Sequence, residues 1–275
     1  MSAARRRLDA ELVRRQLAET RTQAHETIRA GRVTVNGAPA AKPATMVLPS
    51  DAITVERPAH PYVSRGGVKL ARALDHFEVD VAGRRCLDAG VSTGGFTDCL
   101  LQRGARHVQA FDVGYGQVHE RIRTDARVTI RERTNVRHLT ADDVAPPGPD
   151  LIVADLSFIS LRLVLGVLFS VARPDAEAVV LVKPQFEARR EDVGRGGVVR
   201  DPGVWRRALQ GVADAARTSG RDGFDAVSSP ITGAAGNVEF LAHLFVVASG
   251  SPGYRDGGSQ DVDACIAAAI EEVDR

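Results

Sequence analysis

Apolar residues along the chain follow two periodic patterns, which alternate from residue 66 towards the C-terminus. Short apolar runs of strand length occur in R-R-C-L-D-A-G, H-V-Q-A-F-D-V-G, D-L-I-V-A-D-L, A-V-V-L-V-K-P and E-F-L-A-H-L-F-V-V. Between them, apolar residues recur at helical spacing in A-R-A-L-D-H-F, in G-G-F-T-D-C-L-L-Q-R-G and in residues 161–172 and 203–219. This alternation predicts an α/β fold built as a doubly wound, mostly parallel sheet.

The N-terminal part of the chain has a different pattern. A first helix is predicted where four apolar residues share one helical face: Leu8, Leu12, Val13 and Leu17. Thr20 opens a capping box for a second short helix that stops at Gly31. The segment R-V-T-V-N-G-A-P-A then predicts a hairpin that turns at Asn36-Gly37, and D-A-I-T-V-E predicts a further strand.

These patterns divide the chain into three parts. Residues 1–57 form a small α+β module, residues 58–65 a proline-bearing linker, and residues 66–275 the α/β domain. The Gly/Ser-rich stretch 249–259 reads as a connector to a terminal helix in D-V-D-A-C-I-A-A-A-I-E-E-V, with Asp261 or Asp263 as its cap.

The net charge of +1 conceals an asymmetry between the two parts. Residues 1–74 contain 13 Lys and Arg against 6 Asp and Glu, whereas the rest of the chain contains 23 against 29. A basic N-terminal quarter on a mildly acidic body indicates a polyanionic partner, although a solvated basic surface gives the same count. The sequence gives no sign of an obligatory protein partner.

The compartment follows from what the chain lacks. Its three cysteines show no C-x-x-C spacing, which argues against a metal site or a disulfide framework. No apolar run reaches the length of about eighteen residues that a membrane span needs, and the basic N-terminus is not followed by the apolar core of a secretory signal. We therefore expect a cytoplasmic protein.

A glycine-rich turn, D-A-G-V-S-T-G-G-F, follows the first predicted strand of the α/β domain. Ligands of such sheets bind beyond the carboxyl ends of the strands, at turns of this kind. Asp88 opens the turn and would repel a pyrophosphate, whereas it would attract a cofactor with an amino-acid portion and a sulfonium group. Asp112 follows the next strand, 22 residues after Gly90, where an acidic side chain commonly holds a ribose diol.

The turn and the spaced acid resemble the S-adenosylmethionine site of class I methyltransferases. The resemblance implies a set of cofactor-binding candidates: Asp88, Gly90, Ser92, Gly94, Gly95, Phe96, Asp112, Asn135 and Phe158. Asn135, Asp155 and Phe158 are the weaker members of this pocket, and Phe158 fits a core position equally well.

Two lysines and two carboxylates are the catalytic candidates: Lys69, Asp155, Lys183 and Glu239. Brought together beside the cofactor, they would deprotonate a weakly acidic hydroxyl. Lys183 follows a buried apolar run and is the candidate base, and Lys69 would help to hold the nucleophile. The carboxylates would orient the lysines, and whether Lys183 is a true base or a positioning group stays open. The set resembles the tetrad of ribose 2′-O-methyltransferases.

The N-terminal pattern R-L-D…T-R-T-Q-A…G-R-V-T-V-N-G…K-P resembles the S4 RNA-binding domain. Phosphate neutralisation is the physical reason for basic residues in such a module. The resemblance and the charge imply these RNA-facing candidates: Arg5, Arg6, Arg7, Arg21, Lys42 and Arg65.

The whole chain resembles the TlyA family of S4-domain ribosomal RNA methyltransferases, through motifs such as V-S-R-G-G-V-K-L, L-D-A-G-V-S-T-G-G-F-T, V-A-D-L-S-F, V-K-P-Q-F-E and G-N-V-E-F. That resemblance implies a fold in which a small α+β N-terminal S4 domain precedes a class I Rossmann-like, FtsJ-like methyltransferase domain. It also implies an activity, the 2′-O-methylation of cytidine in 23S rRNA. The Arg-rich start and the terminal helix resemble the longer members, which also modify 16S rRNA, so ribosomal subunits are the expected partners.

Three alternatives follow from other features. A pseudouridine synthase also carries an S4 domain, but it needs no cofactor turn. A haemolysin would need an apolar or strongly amphipathic membrane segment, which the chain does not show. An RNA-binding protein with an inactive methyltransferase domain would not need the four catalytic candidates.

Overall fold

The structure is a computed structural model that describes residues 5–18, 21–29, 31–56, 60–247 and 261–274. The chain divides into two compact units, Met1–Pro61 and Tyr62–Arg275. The predicted cap Thr20 and the predicted connector 249–259 lie outside the described residues, as do residue 57 at the end of the predicted module and residues 58–59 at the start of the predicted linker. The exact linker bounds therefore stay a prediction.

The first unit is a small α+β module. Its elements are β1 (Arg6–Arg7), α1 (Leu8–Arg14), α2 (Arg21–Arg29), β2 (Val33–Val35), β3 (Ala38–Pro39), β4 (Met46–Val47) and β5 (Ile53–Val55). Strands β3, β2 and β5 form one antiparallel sheet, and β1 pairs with β4. The core residues are those that the helical pattern predicts, including Leu8, Leu12, Ala24 and Ile28. The exception is Leu17, which is 39% exposed because α1 ends at Arg14.

The predicted hairpin turns at Asn36 and Gly37. Both residues have positive φ, 51° and 81°, and Val35 pairs with Ala38 across the turn. Asparagine and glycine tolerate this left-handed backbone better than other residues, so two residues suffice to reverse the chain.

The second unit has seven strands and seven helices in the described residues. They are α3 (Gly66–His76), β6 (Arg85–Ala89), α4 (Gly95–Gln102), β7 (His107–Phe111), α5 (Glu120–Arg123), β8 (Val128–Arg131), β9 (Leu151–Ala154), α6 (Leu165–Ser170), β10 (Glu177–Val182), α7 (Pro184–Glu187), α8 (Pro202–Thr218), β11 (Gly223–Ser228), β12 (Phe240–Phe245) and α9 (Val262–Glu271).

The seven strands form one sheet in the order β11-β12-β10-β9-β6-β7-β8. Neighbours from β10 to β8 are parallel, whereas β12 is antiparallel to both β10 and β11. Consecutive side chains of β10 enter opposite cores: Val180 joins the core on one face, and Val179 and Leu181 join the core on the other. The prediction of a doubly wound, mostly parallel sheet is confirmed.

Two strands of the second unit, β8 and β11, were not predicted, and neither were the two-residue strands β1 and β4 of the first unit. β8 is an edge strand whose residues alternate between half-buried and exposed, and β11 interrupts its apolar residues with Asp225. Neither segment shows the continuous apolar run of a strand buried on both faces. The predicted terminal helix is α9, and Asp261 caps it by accepting a hydrogen bond from the amide of Ala264 at 3.0 Å.

Candidate active site

The carboxyl ends of the parallel strands place most of the candidate residues at one edge of the sheet. Asp88 is the penultimate residue of β6, and Asp112, Asp155 and Lys183 directly follow β7, β9 and β10. Glu239 directly precedes β12, and because β12 runs antiparallel, its start lies at the same edge. The topology thus brings together residues separated by up to about 150 positions.

The turn after β6 approaches the neighbouring strand end closely. Gly90 has φ +90°, and a Cβ atom there would lie 2.5 Å from the main-chain oxygen of Asp155. A side chain at this position would therefore collide with the backbone that carries the candidate carboxylate. Glycine is required here by both conformation and space.

Asp88 is fully buried behind this turn. The hydroxyl of Thr97 donates a hydrogen bond of 2.6 Å to Asp88 Oδ2, whereas Oδ1 has no hydrogen-bond partner in the described structure. Burial is the main cause that raises the pKa of Asp88 from 3.8 to about 7, and the nearby Asp155 adds to the shift. Asp88 lines neither cavity at this edge, and neither does Gly94.

A cavity of about 990 Å³ opens beside the turn. Five of the cofactor candidates line it: Gly90, Ser92, Asp112, Asn135 and Phe158. The amides of Ser92 and Gly114 each donate a 2.7 Å hydrogen bond to Asp112, one to each carboxylate oxygen. The carboxylate is thereby fixed in orientation, and it keeps lone pairs for a diol.

Phe158 lies on the cavity wall and not in the core. Its side chain is 91% exposed, its φ is +64°, and its ring centroid is 5.2 Å from that of Phe186. A bulky residue with positive φ is strained, so its conformation is held by its surroundings. Asn135 is exposed, and its Oδ1 accepts a hydrogen bond from the amide of Arg137 at 3.1 Å.

Lys183 and Asp155 form an ion pair at the adjacent ends of β10 and β9. Lys183 Nζ lies 2.6 Å from Asp155 Oδ1, although the angles are not those of a hydrogen bond. The same ammonium group donates a hydrogen bond of 3.0 Å to Ser157 Oγ. The side chain of Lys183 is only 11% exposed and that of Asp155 is 25% exposed, so the pair is partly shielded from water.

Lys69 and Glu239 form a second, more deeply buried pair. Lys69 lies in the first turns of α3 and donates a short hydrogen bond to Glu239 Oε2. Glu239 is 3% exposed, and the backbone of Gly233 packs against its carboxylate so closely that a Cβ there would clash. A buried charge needs a partner, and here each residue supplies it for the other.

A second cavity of about 220 Å³ is lined by one residue of each pair, whereas Lys183 and Glu239 line neither cavity. Lys69 and Asp155 both line it, and so does Arg65, one of the RNA-facing candidates. Gly90, Ser92 and Asp155 line both cavities and so form their common boundary. Gly95 and Phe96 line the smaller one, which is where the structure places these two cofactor candidates.

In the first unit, the basic candidates Arg5, Arg6, Arg7, Arg21 and Lys42 are all exposed. Arg7 and Arg21 donate hydrogen bonds of 2.9 and 3.0 Å to the buried carboxylate of Asp9. The hydrogen bond from Arg7 holds the pKa of Asp9 well below its usual range. Asp9 therefore orients two candidate RNA contacts, a role that the sequence alone did not reveal.

Sequence reasoning also missed Ser157, Glu187 and Asn237. Glu187 and Asn237 are buried polar residues that tie loops at the site together. Glu187 lies in the motif V-K-P-Q-F-E with Lys183, and Asn237 lies in the motif G-N-V-E-F with Glu239. Closeness in sequence to a catalytic candidate was therefore the signal by which both residues could have been found.

No group of three or more His, Cys, Asp or Glu side chains within the described ranges is arranged to hold a metal ion. In the described part of the chain, every helix is too short or too polar to cross a lipid bilayer.

The cavity next to the glycine turn fits a nucleoside cofactor, because the turn excludes side chains where a ligand must approach and Asp112 presents a fixed carboxylate. Strand order, glycine turn and spaced acid together define an S-adenosylmethionine-dependent methyltransferase. The FtsJ-like methyltransferase family model matches residues 62–245, and the S4 domain model matches residues 6–53. The chain therefore belongs to the FtsJ-like methyltransferases and carries an N-terminal S4 domain.

Among its relatives is TlyA of Mycobacterium tuberculosis, named a 16S/23S rRNA (cytidine-2′-O)-methyltransferase, with 52% identity over 88% of this chain and 90% of the relative. A Bacillus subtilis relative, named a putative rRNA methyltransferase, is 45% identical over 92% of this chain and 90% of its own length. A solved structure named a putative hemolysin from Streptococcus thermophilus has a TM-score of 0.70 at 37% identity, covering 99% of this chain and 98% of that chain.

Proposed function

We propose that this protein methylates the ribose 2′-hydroxyl of cytidine in 23S and 16S ribosomal RNA within ribosomal subunits, and that it acts in the cytoplasm, where those substrates are assembled. The observation that carries the proposal is the ion pair of Lys183 with Asp155, because Asp155 lines both the larger and the smaller cavity. The 52%-identical relative named for this reaction, on both RNAs, supports the substrate.

The cofactor is held by the turn after β6 and by the acid after β7. Gly90, Ser92 and Asp112 line the larger cavity, and so do Asn135 and Phe158. When bound, S-adenosylmethionine supplies an electrophilic methyl group on a sulfonium sulfur. Asp88, Gly94, Gly95 and Phe96 shape the turn from behind or from the smaller cavity.

The chain's own part in the reaction is to hold the hydroxyl and remove its proton. We assign Lys183 Nζ as the group that accepts the proton of the hydroxyl. As the 2′-oxygen formed its bond to the methyl group, the bond from that methyl group to the sulfonium sulfur would break and leave a neutral thioether, and the hydroxyl proton would move to Lys183 Nζ. Asp155 then pairs with the ammonium formed, and Ser157 fixes its direction. Positioning supplies most of the rate enhancement, because methyl transfer needs an in-line approach.

Lys69 acts from the opposite side of the smaller cavity. Glu239 holds it in place, so its ammonium group is available to orient the ribose oxygen without moving. This assignment makes Lys69 and Glu239 a fixed support, and Lys183 and Asp155 the proton-handling pair.

RNA contact involves both units. The exposed side chains of Arg5, Arg6, Arg7, Arg21 and Lys42 neutralise phosphates in the first unit, and Arg65 does so beside the smaller cavity. Phe158 offers an exposed ring at the cofactor cavity on which an unstacked base can lie. A ribose inside the RNA reaches Lys183 more easily once its base is withdrawn from the stack.

The test uses the purified full-length protein, S-adenosylmethionine and ribosomal subunits from cells that lack the corresponding modification. Nuclease digestion and mass spectrometry should find 2′-O-methylcytidine in both rRNAs, and its absence would refute the function. Relatives named hemolysin, among them one from Brachyspira hyodysenteriae at 39% identity, motivate an erythrocyte lysis assay in parallel. Lysis without methylation would favour that name over ours.

A further inference from the structure

One buried carboxylate joins the two loops that carry the Lys183–Asp155 pair. Glu187 is the last residue of α7 and is 7% exposed. Its Oε1 accepts a hydrogen bond from the amide of Leu161 at 2.6 Å. Its Oε2 accepts from Ser160 Oγ at 2.5 Å and from Arg162 Nε at 3.2 Å. Each of these partners belongs to the loop after β9, at least 25 residues away in sequence.

The network closes on itself. Arg162 Nη2 donates to the main-chain oxygen of Glu187 at 3.0 Å, and the amide of Arg162 donates to Ser160 Oγ at 3.2 Å. Both carboxylate oxygens are thus satisfied by donors from one short segment. A buried charge held by several donors has one favoured geometry, so the two loops are fixed relative to each other.

The joined loops are those that bear the chemistry. The segment after β10, which includes α7, carries Lys183 and Phe186, and the loop after β9 carries Asp155, Ser157 and Phe158. Across the gap, Lys183 forms the ion pair with Asp155 and donates the hydrogen bond to Ser157. The ring of Phe186 contacts the ring of Phe158. The strained backbone of Phe158 lies two residues before the segment that Glu187 binds, so this anchor helps to hold a conformation that the residue itself disfavours.

We propose that Glu187 is a positioning residue for methyl transfer, which sets the separation of Lys183 from Asp155 and holds Phe158 at the cavity wall. The proposal rests on the proposed function. Glu187 touches neither reactant in this role and acts only through the loops that it joins.

The test compares Glu187→Gln with a matched control, Glu177→Gln. Glu177 is also a shielded carboxylate, bonded to Arg84 and His243, but it begins β10 at the end of the sheet remote from the site. In either orientation the amide nitrogen introduced by Glu187→Gln faces a donor, the amide of Leu161 in one case and the guanidinium of Arg162 in the other, which shifts the loop. We expect kcat per cofactor-binding site to fall about tenfold to hundredfold, while the KM for ribosomal subunits and the cofactor Kd change less than about threefold.

Glu177→Gln is expected to keep kcat within about twofold of the wild type even where it lowers the melting temperature as much. Ser160→Ala gives a second, milder variant, which should lower kcat in the same direction. Combined with Glu187→Gln it should add little, because both changes break one network.

An unchanged kcat in Glu187→Gln, or losses that simply multiply in the double variant, would overturn the proposal. An equal loss of kcat in Glu177→Gln would also overturn it, because general destabilisation would then explain the effect. If Glu187→Gln does not fold, Ser160→Ala alone decides by the same kcat-against-KM criterion. Wild-type protein that forms no 2′-O-methylcytidine would instead refute the proposed function.

Discussion

The buried carboxyl of Asp88 makes the stability of this protein depend on pH in a direction opposite to that of most carboxyl groups. Asp88 has no access to solvent, and Thr97 is its hydrogen-bonding side chain. Replacing it by asparagine removes the charge and keeps the shape. The Asp88→Asn variant therefore reports how much the ionised form costs.

The magnitude follows from the pKa of Asp88, which burial raises from 3.8 to about 7. Each unit of such a shift corresponds to about 1.4 kcal/mol, so the full effect is about 4 kcal/mol. The pKa of Asp88 is higher in the folded state than in the unfolded state. Its contribution to the free energy of unfolding is therefore fully present below about pH 4. It is lost as the pH rises to about 7, and it stays lost above that pH.

The assay is urea unfolding of the full-length wild type and the Asp88→Asn variant at intervals from pH 4 to pH 8. Groups that titrate in both proteins cancel in the difference between their free energies of unfolding. That difference should shift by about 4 kcal/mol in favour of the variant between pH 4 and pH 8. A constant difference would refute the burial argument.

Asp98→Asn is the control. Asp98 is equally buried, but it accepts hydrogen bonds from Val63, Gln102 and Arg121. Because these hydrogen bonds compensate the burial of its carboxylate, Asp98→Asn should destabilise the protein at pH 8 by about 1–3 kcal/mol. The two substitutions are thus expected to have opposite signs at that pH.

Three further substitutions test other parts of the site. Lys69→Met leaves Glu239 buried without its partner and should lower the free energy of unfolding by about 3–5 kcal/mol in urea titrations, so a loss below about 1 kcal/mol would contradict the pairing. Gly90→Ala should weaken cofactor binding at least about tenfold in calorimetry because the new Cβ meets a carbonyl oxygen, whereas Gly83→Ala, also at positive φ but in open space, should leave it unchanged. Arg21→Glu should weaken subunit binding and reduce its salt slope by about 1 without changing cofactor affinity, and a loss of cofactor binding instead would show that the first unit is structural.

Local patterns predicted most elements of this fold. Residues at hairpin turns and helix ends carry local conformational preferences, which is why Asn36-Gly37 and Asp261 were found where expected. The order of the strands was not predictable in the same way. β12 lies between β10 and β11, and its position depends on contacts between segments about 60 residues apart.

The site shows the same limit. The sequence supplied two lysines and two carboxylates, but not which lysine pairs with which carboxylate. Lys69 pairs with Glu239 across 170 residues, and Lys183 pairs with Asp155, because α3 and the start of β12 meet on one side of the site. Glu187 was missed for a related reason: a carboxylate shows its role only when its buried donors are known.

In the proposed mechanism, the Lys183–Asp155 pair removes the proton of a ribose hydroxyl. The most direct test is single-turnover methylation of ribosomal subunits by the wild type and by Lys183→Ala, with cofactor binding measured separately. The wild type should form 2′-O-methylcytidine, and the Lys183→Ala variant should form it at a rate lower by about 100-fold or more while still binding the cofactor. A Lys183→Ala protein that methylates at the wild-type rate, or a wild type that methylates a base and not the ribose, would contradict the mechanism.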